Sequence, residues 1–389
     1  MNSDHIYLNL DVVNDGTTEQ QPLVFSETRT IPFLEAATDY YCSVIRFCLQ
    51  TSNSLPVFIP DIQVGQTNAN LTVYSVKLKL MLTITNPGYP GYPSGRVYFE
   101  NETFIIYAPS DLTQPTPPAP SSRLVNSLPY YWVQNITEWV VMVNTTLQSA
   151  TNDLFSLYAE SPALSPEGRG FRFQPPFISY DISTGLFTLH KDVDVDARFT
   201  NGFINLDIIF NTRLYNILPF PAFRQTDGYK INIPGNAEVN QLLTLSQNQY
   251  ITVSTEFSPL SLMCPIKSIS FTTNTLPIQA TLTQPPKIYN NGSISSNSGL
   301  PDISNIIADY QIPISAENTY NGEIIYQPSA ELRLMSMNNS FNLNKIDLNC
   351  FWIDKYGREH QVYLQPGCSA SLKLLFRHKR FNYGSNAYF

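Results

Sequence analysis

The sharpest concentration of chemically capable side chains is the acidic run KDVDVDAR, which carries Asp192, Asp194 and Asp196. In an extended run every second side chain lies on one face, so the three carboxylates would project together. Oxygen ligands in that arrangement suit a hard cation such as calcium. An EF-hand is excluded, because Ala197 stands at its turn-glycine position and Phe203 at its bidentate position. A solvated strand edge, where charges discourage stray pairing, explains the run as well. The sequence therefore predicts no metal site, with these aspartates as the one candidate left open.

Histidine and cysteine, the usual residues of zinc sites and nucleophilic centres, are scattered along the chain. No CxxC pair occurs, and no histidine has a second histidine or a cysteine at zinc-ligand spacing. Cys350 or Cys368 could in principle pair with His360. However, Cys350 shares one face of a strand pattern with Trp352, and no oxyanion motif accompanies either cysteine. Phosphate-binding glycine loops and the GxSxG elbow are also missing from the sequence. We therefore expect no catalytic residue, no cofactor and no enzymatic activity.

The composition is typical of a protein whose surface is covered by partners. Charged residues make up 14% of the 389 residues and aromatic residues 13%, whereas average soluble domains contain roughly 25% charged residues. The net charge of −8 gives the whole protein no electrostatic footprint for nucleic acid. Only the tail with Arg377, Lys379 and Arg380 is locally basic. It is either solvated or contacts an acidic interior component or partner, and these three residues are the predicted interface residues.

The N-terminal sequence and the cysteines indicate where the protein folds. MNSDHIYLNL lacks the basic and apolar regions of a signal peptide, and no apolar run approaches the length of a membrane span. Five cysteines without regular spacing argue against a disulfide framework. We expect folding in a reducing intracellular compartment.

Alternating apolar and polar residues predict about fifteen short strands, without the βαβ alternation of a parallel sheet. In the segment Ile346–Trp352 alternate side chains share one face, and Ser371–Arg377 is predicted to close an antiparallel meander after it. A single convincing helix pattern covers about 127–158. Ser127 is its predicted cap, with Pro129 in the first turn.

These patterns predict an all-β protein made of antiparallel jelly-roll β-sandwiches with one inserted amphipathic helix. Residues 236–389 contain about eight strands, and 1–235 contain about eight more if the helix and its linker are an insertion; eight is the size of one jelly roll. The sequence therefore predicts two sandwiches in tandem, 1–235 and 236–389. One sandwich with a large insertion stays open.

Several segments resemble a capsid-protein family of polinton-like viruses, virophages and related small eukaryotic double-stranded DNA viruses. They include ETRTIPFLEAATDYYCSVIRFCLQTSNSLPVFIPDI, YYWVQNITEWVVMVNTTLQ, PPFISYDISTGLFTL and IDLNCFWIDKYGREHQVYLQPGCSASLKLLFRHK. The resemblance implies a jelly-roll virion protein of the minor capsid or penton type, made in the cytoplasm or nucleus of the host. It also implies assembly as a homo-oligomer, a pentamer or a trimer, beside the other capsid proteins of the virion.

Two alternatives stay open. The length and the apparent tandem arrangement also fit a double-jelly-roll major capsid protein that forms trimers. A protein of another class, a β-sandwich attachment or carbohydrate-binding protein, would use Tyr89 and Tyr92 in a Pro-Gly loop, since tyrosine rings can stack on sugars.

Overall fold

The computed structural model describes residues 4–51, 54–84, 95–121, 128–161, 164, 169–234, 242–245, 248–283, 287–290, 293–296, 302–311, 322–328 and 333–382. Most regular structure in these ranges is antiparallel strand, which confirms the predicted fold class. In chain order the strands are β1 His5–Val13, β2 Gln21–Pro22, β3 Val24–Thr28, β4 Tyr40–Gln50, β5 Leu71–Ile84, β6 Gly95–Ile106, β7 Phe177–Asp181, β8 Leu186–Asp192, β9 Ile204–Phe210, β10 Ala222–Gln225, β11 Gly228–Ile231, β12 Leu242–Leu245, β13 Asn248–Ser254, β14 Ile266–Thr272, β15 Thr281–Thr283, β16 Lys287–Asn290, β17 Ser293–Ser296, β18 Asp302–Ser304, β19 Ile306–Tyr310, β20 Glu323–Tyr326, β21 Met335–Ser336, β22 Lys345–Asp354, β23 Glu359–Gln361, β24 Tyr363–Leu364 and β25 Ser369–His378.

The α-helices of the described ranges are α1 Ile136–Ala159, α2 Thr212–Tyr215 and α3 Leu260–Met263. Short 3₁₀ turns occupy Ala37–Asp39, Pro129–Tyr131, Val193–Val195 and Lys379–Asn382. Within the described ranges, none of the helices combines the length and the apolar character that a bilayer crossing demands.

The chain divides into two compact units, but not at the predicted boundary between 235 and 236. The first unit comprises 1–56, 265–314 and 318–389, and the second comprises 57–264 with 315–317. The physical reason is long-range strand pairing. Strand β1 pairs antiparallel with β25 from His5 opposite Arg377 to Val13 opposite Ser369, so both ends of the chain lie in one sheet. The second unit is therefore an insertion between β4 and β14, rather than half of a tandem.

The first unit contains two main sheets. One has the order β1-β25-β4-β20, with β21 also on β4; the other has the order β19-β14-β22-β23, with β3 also on β22. Their inner faces meet at Phe47 of β4, whose ring centroid lies 4.9 Å from that of Phe271 on β14 and 6.4 Å from that of Phe25 on β3. All three side chains are fully buried. This contact forms the aromatic centre of a β-sandwich.

Two sequence predictions about this unit need correction. Strand β25 does not close a meander after β22, because it pairs with β1 and β4 in the other sheet. The Asn-, Gly- and Ser-rich composition of 285–301 predicts an exposed loop, yet β16 and β17 within it pair antiparallel. Alternation inside β22 is confirmed, because Ile346, Leu348, Cys350 and Trp352 are all fully buried.

The second unit also contains two main sheets, of order β10-β11-β9-β5-β6 and β12-β13-β8-β7. Helix α1 contacts β5, β6 and β7. Its Trp139 is fully buried, with ring centroids 4.8 Å from Phe58 and 5.5 Å from Tyr74. The helix thus stabilises the unit through one packed face, as its valine and threonine content requires.

Helix α1 begins later than predicted. Pro129–Tyr131 forms a separate 3₁₀ turn, and the predicted cap Ser127 lies outside the described residues. The helix cap is Asn135, whose Oδ1 accepts a hydrogen bond of 3.0 Å from the Glu138 backbone N–H. The Glu138 carboxylate accepts in return from the Asn135 side chain at 2.8 Å. A cap residue followed three positions later by Glu is the sequence signal of a capping box, and here the Glu138 carboxylate accepts from the Asn135 side chain and the Gln134 backbone N–H rather than from the cap backbone.

Asn135→Ala is expected to lower the free energy of unfolding of the second unit by about 1 kcal/mol, because the first turn loses its acceptor. Urea denaturation followed by circular dichroism measures the change. Asn152→Ala is the matched control, since Asn152 is exposed within the same helix and alanine has the higher helix propensity there. Equal destabilisation by both variants would contradict the assigned cap.

Candidate functional site

The three aspartates of the acidic run do not share one strand face. Strand β8 ends at Asp192, and Val193–Val195 turns as a 3₁₀ helix, so the predicted two-residue alternation stops there. Asp192 is buried and caps this turn, with Oδ1 accepting from the Asp194 N–H at 3.0 Å and Oδ2 from the Gln174 N–H at 2.7 Å. Asp194 is exposed. Asp192 is therefore occupied by backbone donors, and the predicted common face does not form.

Asp196 is occupied by cations of the protein itself. Its Oδ2 lies 2.9 Å from Lys191 Nζ and its Oδ1 lies 2.8 Å from Arg198 Nε. The side chains of Lys191 and Asp196 are only 6% and 8% exposed. In the ranges that the structure describes, no group of three or more His, Cys, Asp or Glu side chains is placed to hold a metal ion. The acidic run therefore serves the internal structure of the second unit.

The buried pair lines a polar pocket of about 200 Å³, which Arg198, Asn205 and Lys230 also border. Burial raises the pKa of Asp196, but hydrogen bonds from Arg198 and Lys191 outweigh it and bring the pKa to about 2. Burial also lowers the pKa of Lys191, which Asp196 opposes. Because cations and carboxylates compensate each other within the pocket, its chemistry is that of a structural ion-pair network rather than a proton-transfer site.

His190 of β8 is a buried neutral side chain. Its ring stacks on Phe177 with centroids 4.3 Å apart and an interplanar angle of 9°, and its Nε2 lies 2.8 Å from Ser179 Oγ. Nδ1 is buried and has no hydrogen-bond partner among the described residues. Burial lowers the pKa of His190 to about 4, because the charged ring would lose its hydration without gaining an acceptor.

The surroundings of His360, Cys350 and Cys368 do not favour the nucleophilic pair that the sequence allows in principle. His360 stacks on Trp352 with ring centroids 4.0 Å apart, and its Nε2 lies 3.1 Å from Asp354 Oδ2. Arg358 also donates to that carboxylate, at 2.7 Å. Cys350 is fully buried, and burial raises the pKa of its thiol, as it does for Cys368. Both thiols are therefore disfavoured as thiolates.

The basic tail is packed against the first unit rather than extended into solvent. Arg377 pairs in register with His5 on one side and Tyr41 on the other. Lys379 donates to the Met337 carbonyl at 3.0 Å, and Arg380 forms an ion pair with Asp4. These contacts place the three predicted interface residues at one end of the β1-β25-β4-β20 sheet.

Two further cations lie beside this tail, at positions that no sequence pattern singles out. Lys373 of β25 stands opposite Arg46 of β4 in register, although the two residues are far apart in sequence. Its Nζ lies 5.1 Å from the ring centroid of Tyr7 on β1. No local pattern could reveal this cluster, because three strands from both ends of the chain must pair before it exists.

Removing Asp196 is expected to cost more stability than removing Lys191. Asp196→Asn leaves the buried ammonium without its counter-charge and should lower the free energy of unfolding by about 3 kcal/mol. Lys191→Met should cost less, because Asp196 keeps its hydrogen bonds to Arg198 at 2.8 and 3.2 Å. Urea denaturation of the two variants measures both values. An equal or larger loss for Lys191→Met would show that Arg198 does not compensate the carboxylate.

The second unit is expected to lose stability as the pH falls from about 6.5 to about 4, because the unfolded chain binds a proton that folded His190 excludes. Above about pH 6.5 His190 is neutral in both the folded and the unfolded chain, so no stability is lost there. Across the window the free energy of unfolding falls by a total on the order of 2 kcal/mol. His190→Gln should flatten the pH dependence of the free energy of unfolding, measured by urea denaturation across the window. The exposed His5→Gln is the control. An unchanged slope in His190→Gln would contradict the assignment.

Comparison with known proteins shows which family this chain resembles. The family described as Sputnik minor capsid protein V18/19 matches residues 6–378. The uncharacterized protein V18 of Sputnik virophage is 33% identical over 139 residues, which cover 34% of this chain and 73% of that protein.

Two solved structures share the fold. A chain in the cryo-EM structure of the Sputnik virophage superposes with a TM-score of 0.74 and 23% identity, covering 98% of this chain and 99% of that one. The mavirus penton protein superposes with a TM-score of 0.57 and 15% identity, covering 96% and 99%. The matched family describes structural proteins of the capsid, not enzymes, and it locates this chain in the virion. The chain belongs to the Sputnik V18/19 minor capsid protein family.

Proposed function

We propose that this minor capsid protein is a penton-type subunit that assembles as a homopentamer and contacts the other capsid proteins of its virion. Its similarity to the mavirus penton protein supports the penton fold. The single observation that carries the pentamer is a pair of exposed apolar side chains at opposite edges of one sheet. Val13 on β1 is 66% exposed and Ile325 on β20 is 63% exposed.

The positions of these side chains suit a ring. Among the described strands, β1 and β20 end the β1-β25-β4-β20 sheet on its two sides. A contact between one edge and the opposite edge of the next copy is heterologous, and such contacts close into rings when the rotation allows. A chain with only 14% charged residues can bury such edges at a modest desolvation cost.

The alternatives are less well supported. A trimeric double-jelly-roll major capsid protein disagrees with the minor capsid family that matches 6–378. The attachment hypothesis depends on Tyr89 and Tyr92, which lie outside the described residues. The partner class therefore remains the capsid itself.

The pentamer is tested by size-exclusion chromatography with light scattering. The wild-type protein is expected at five times the 43.9 kDa chain mass. Ile325→Glu should shift it to monomers, because the carboxylate would be desolvated at each of the repeated contacts. Ile182→Glu is the matched control, as Ile182 is 55% exposed and lies in the second unit. A wild-type trimer or monomer, or a pentamer that survives Ile325→Glu, would overturn the proposed edge contact.

A further inference from the structure

A group of cations and tyrosines lies on the outward side of the β1-β25-β4-β20 sheet, although the chain as a whole has a net charge of −8. Along β25 the side chains of Leu372, Leu374 and Phe376 are buried on the inner face, so Lys373, Leu375 and Arg377 lie on the opposite face, where Leu375 is itself buried. The cations and tyrosines of that face, here called the basic face, are Arg46, Lys373, Arg377 and Lys379 with Tyr7 and Tyr41.

The tyrosine rings are interleaved with the cations. Lys373 Nζ lies 5.1 Å from the ring centroid of Tyr7, and Lys379 Nζ lies 5.4 Å from that of Tyr41. Tyr7 is 57% exposed, so its ring is available to a ligand as well as to the lysine. Cations combined with exposed aromatic rings are typical of surfaces that bind nucleic acid strands.

The described part of the chain does not neutralise the cations of the basic face. Among the described residues, no carboxylate lies within ion-pair distance of Arg46, Lys373 or Arg377. Arg377 Nε is buried and has no hydrogen-bond partner among them. Lys373 and Arg46 are direct cross-strand neighbours, a like-charge arrangement that is destabilising unless an anion is bound.

The described carboxylates nearest to the basic face are either paired with another cation or displaced along the strands. Asp4 is paired with Arg380. Asp11 pairs in register with Ser371, beyond the Lys373 row, and Glu323 lies opposite Gln50 at the far end of β4. The carboxylates on β1 and β20 are therefore separated along the strands from most of the cations.

We infer that the basic face binds the phosphate backbone of nucleic acid inside the virion, an inference that rests on the capsid role. The distance from Lys373 to Arg377 along β25 is about 13 Å. One strand of duplex DNA presents a phosphate about every 3.4 Å along its axis, so this column faces several phosphates. Contacts of this kind carry no base specificity, because phosphates are the same in every sequence.

The experiment measures fluorescence anisotropy of a short fluorescein-labelled DNA duplex titrated with the full-length protein between about 50 and 200 mM salt. The test variant is Arg46→Gln/Lys373→Gln. The control is Lys267→Gln/Lys345→Gln, which removes two exposed cations of the same unit from the other sheet and leaves the same net charge. Thermal unfolding establishes that both variants are folded.

The wild-type protein is expected to bind the duplex with an affinity that falls steeply with salt. The test variant should lower the magnitude of the salt slope by about 1.8, corresponding to two lost phosphate contacts, whereas the control should keep the wild-type slope. Absence of wild-type binding at about 50 mM salt, or equal weakening in both variants, would overturn the inference.

Light scattering on the same samples separates this inference from the proposed pentamer. A monomer whose DNA binding depends on Arg46 and Lys373 would contradict the pentamer alone. A pentamer that does not bind the duplex would contradict the phosphate site alone. If the test variant breaks the oligomer and leaves DNA binding unchanged, the basic face binds an acidic protein surface and the inference is wrong.

Discussion

The pairing of the first strand with the last is the constraint on which the rest of the structure depends. Because β1 pairs with β25 along its whole length, the two ends of the chain complete one sheet of the first unit. Everything between Pro56 and Pro265 must then leave that unit and return to it. The entropy of closing a loop grows only slowly with its length, so a large folded insertion is tolerated at little extra cost.

The interiors of the two units differ in the kind of side chains they bury. In the first unit the centre of the sandwich is aromatic, with Phe25, Phe47 and Phe271 in edge contact. In the second unit an ion pair between Lys191 and Asp196 is buried near strand β9. A buried ion pair contributes little net stability compared with apolar packing, but it penalises any arrangement that separates the charges. In the acidic run, Asp192 and Asp196 are thus occupied by donors of the protein itself, and Asp194 is exposed.

Local patterns in the sequence predict local structure well in this protein. The alternation of β22 predicts which side chains are buried, and the apolar spacing of α1 predicts its end near Tyr158. Features that depend on distant partners were not predictable. The boundary between units and the sheet that contains β25 depend on pairings between residues remote in sequence. Asp196 differs, because its partners Lys191 and Arg198 are near in sequence and meet it only through the turn that follows β8. A strand pattern specifies which face is apolar, but not which other strand it joins.

One sheet of the first unit carries both surfaces that we connect with the virion. The exposed apolar residues Val13 and Ile325 lie on its edge strands, whereas Arg46, Lys373 and Arg377 lie on its two central strands, β4 and β25. Apolar edges associate through burial and tolerate salt, whereas the cations act through charge and are screened by it. Since the two interactions use different side chains and different physical forces, one sheet can join neighbouring subunits and hold an anion at the same time. The strand pairing that unites the ends of the chain is what brings these two surfaces into a single sheet.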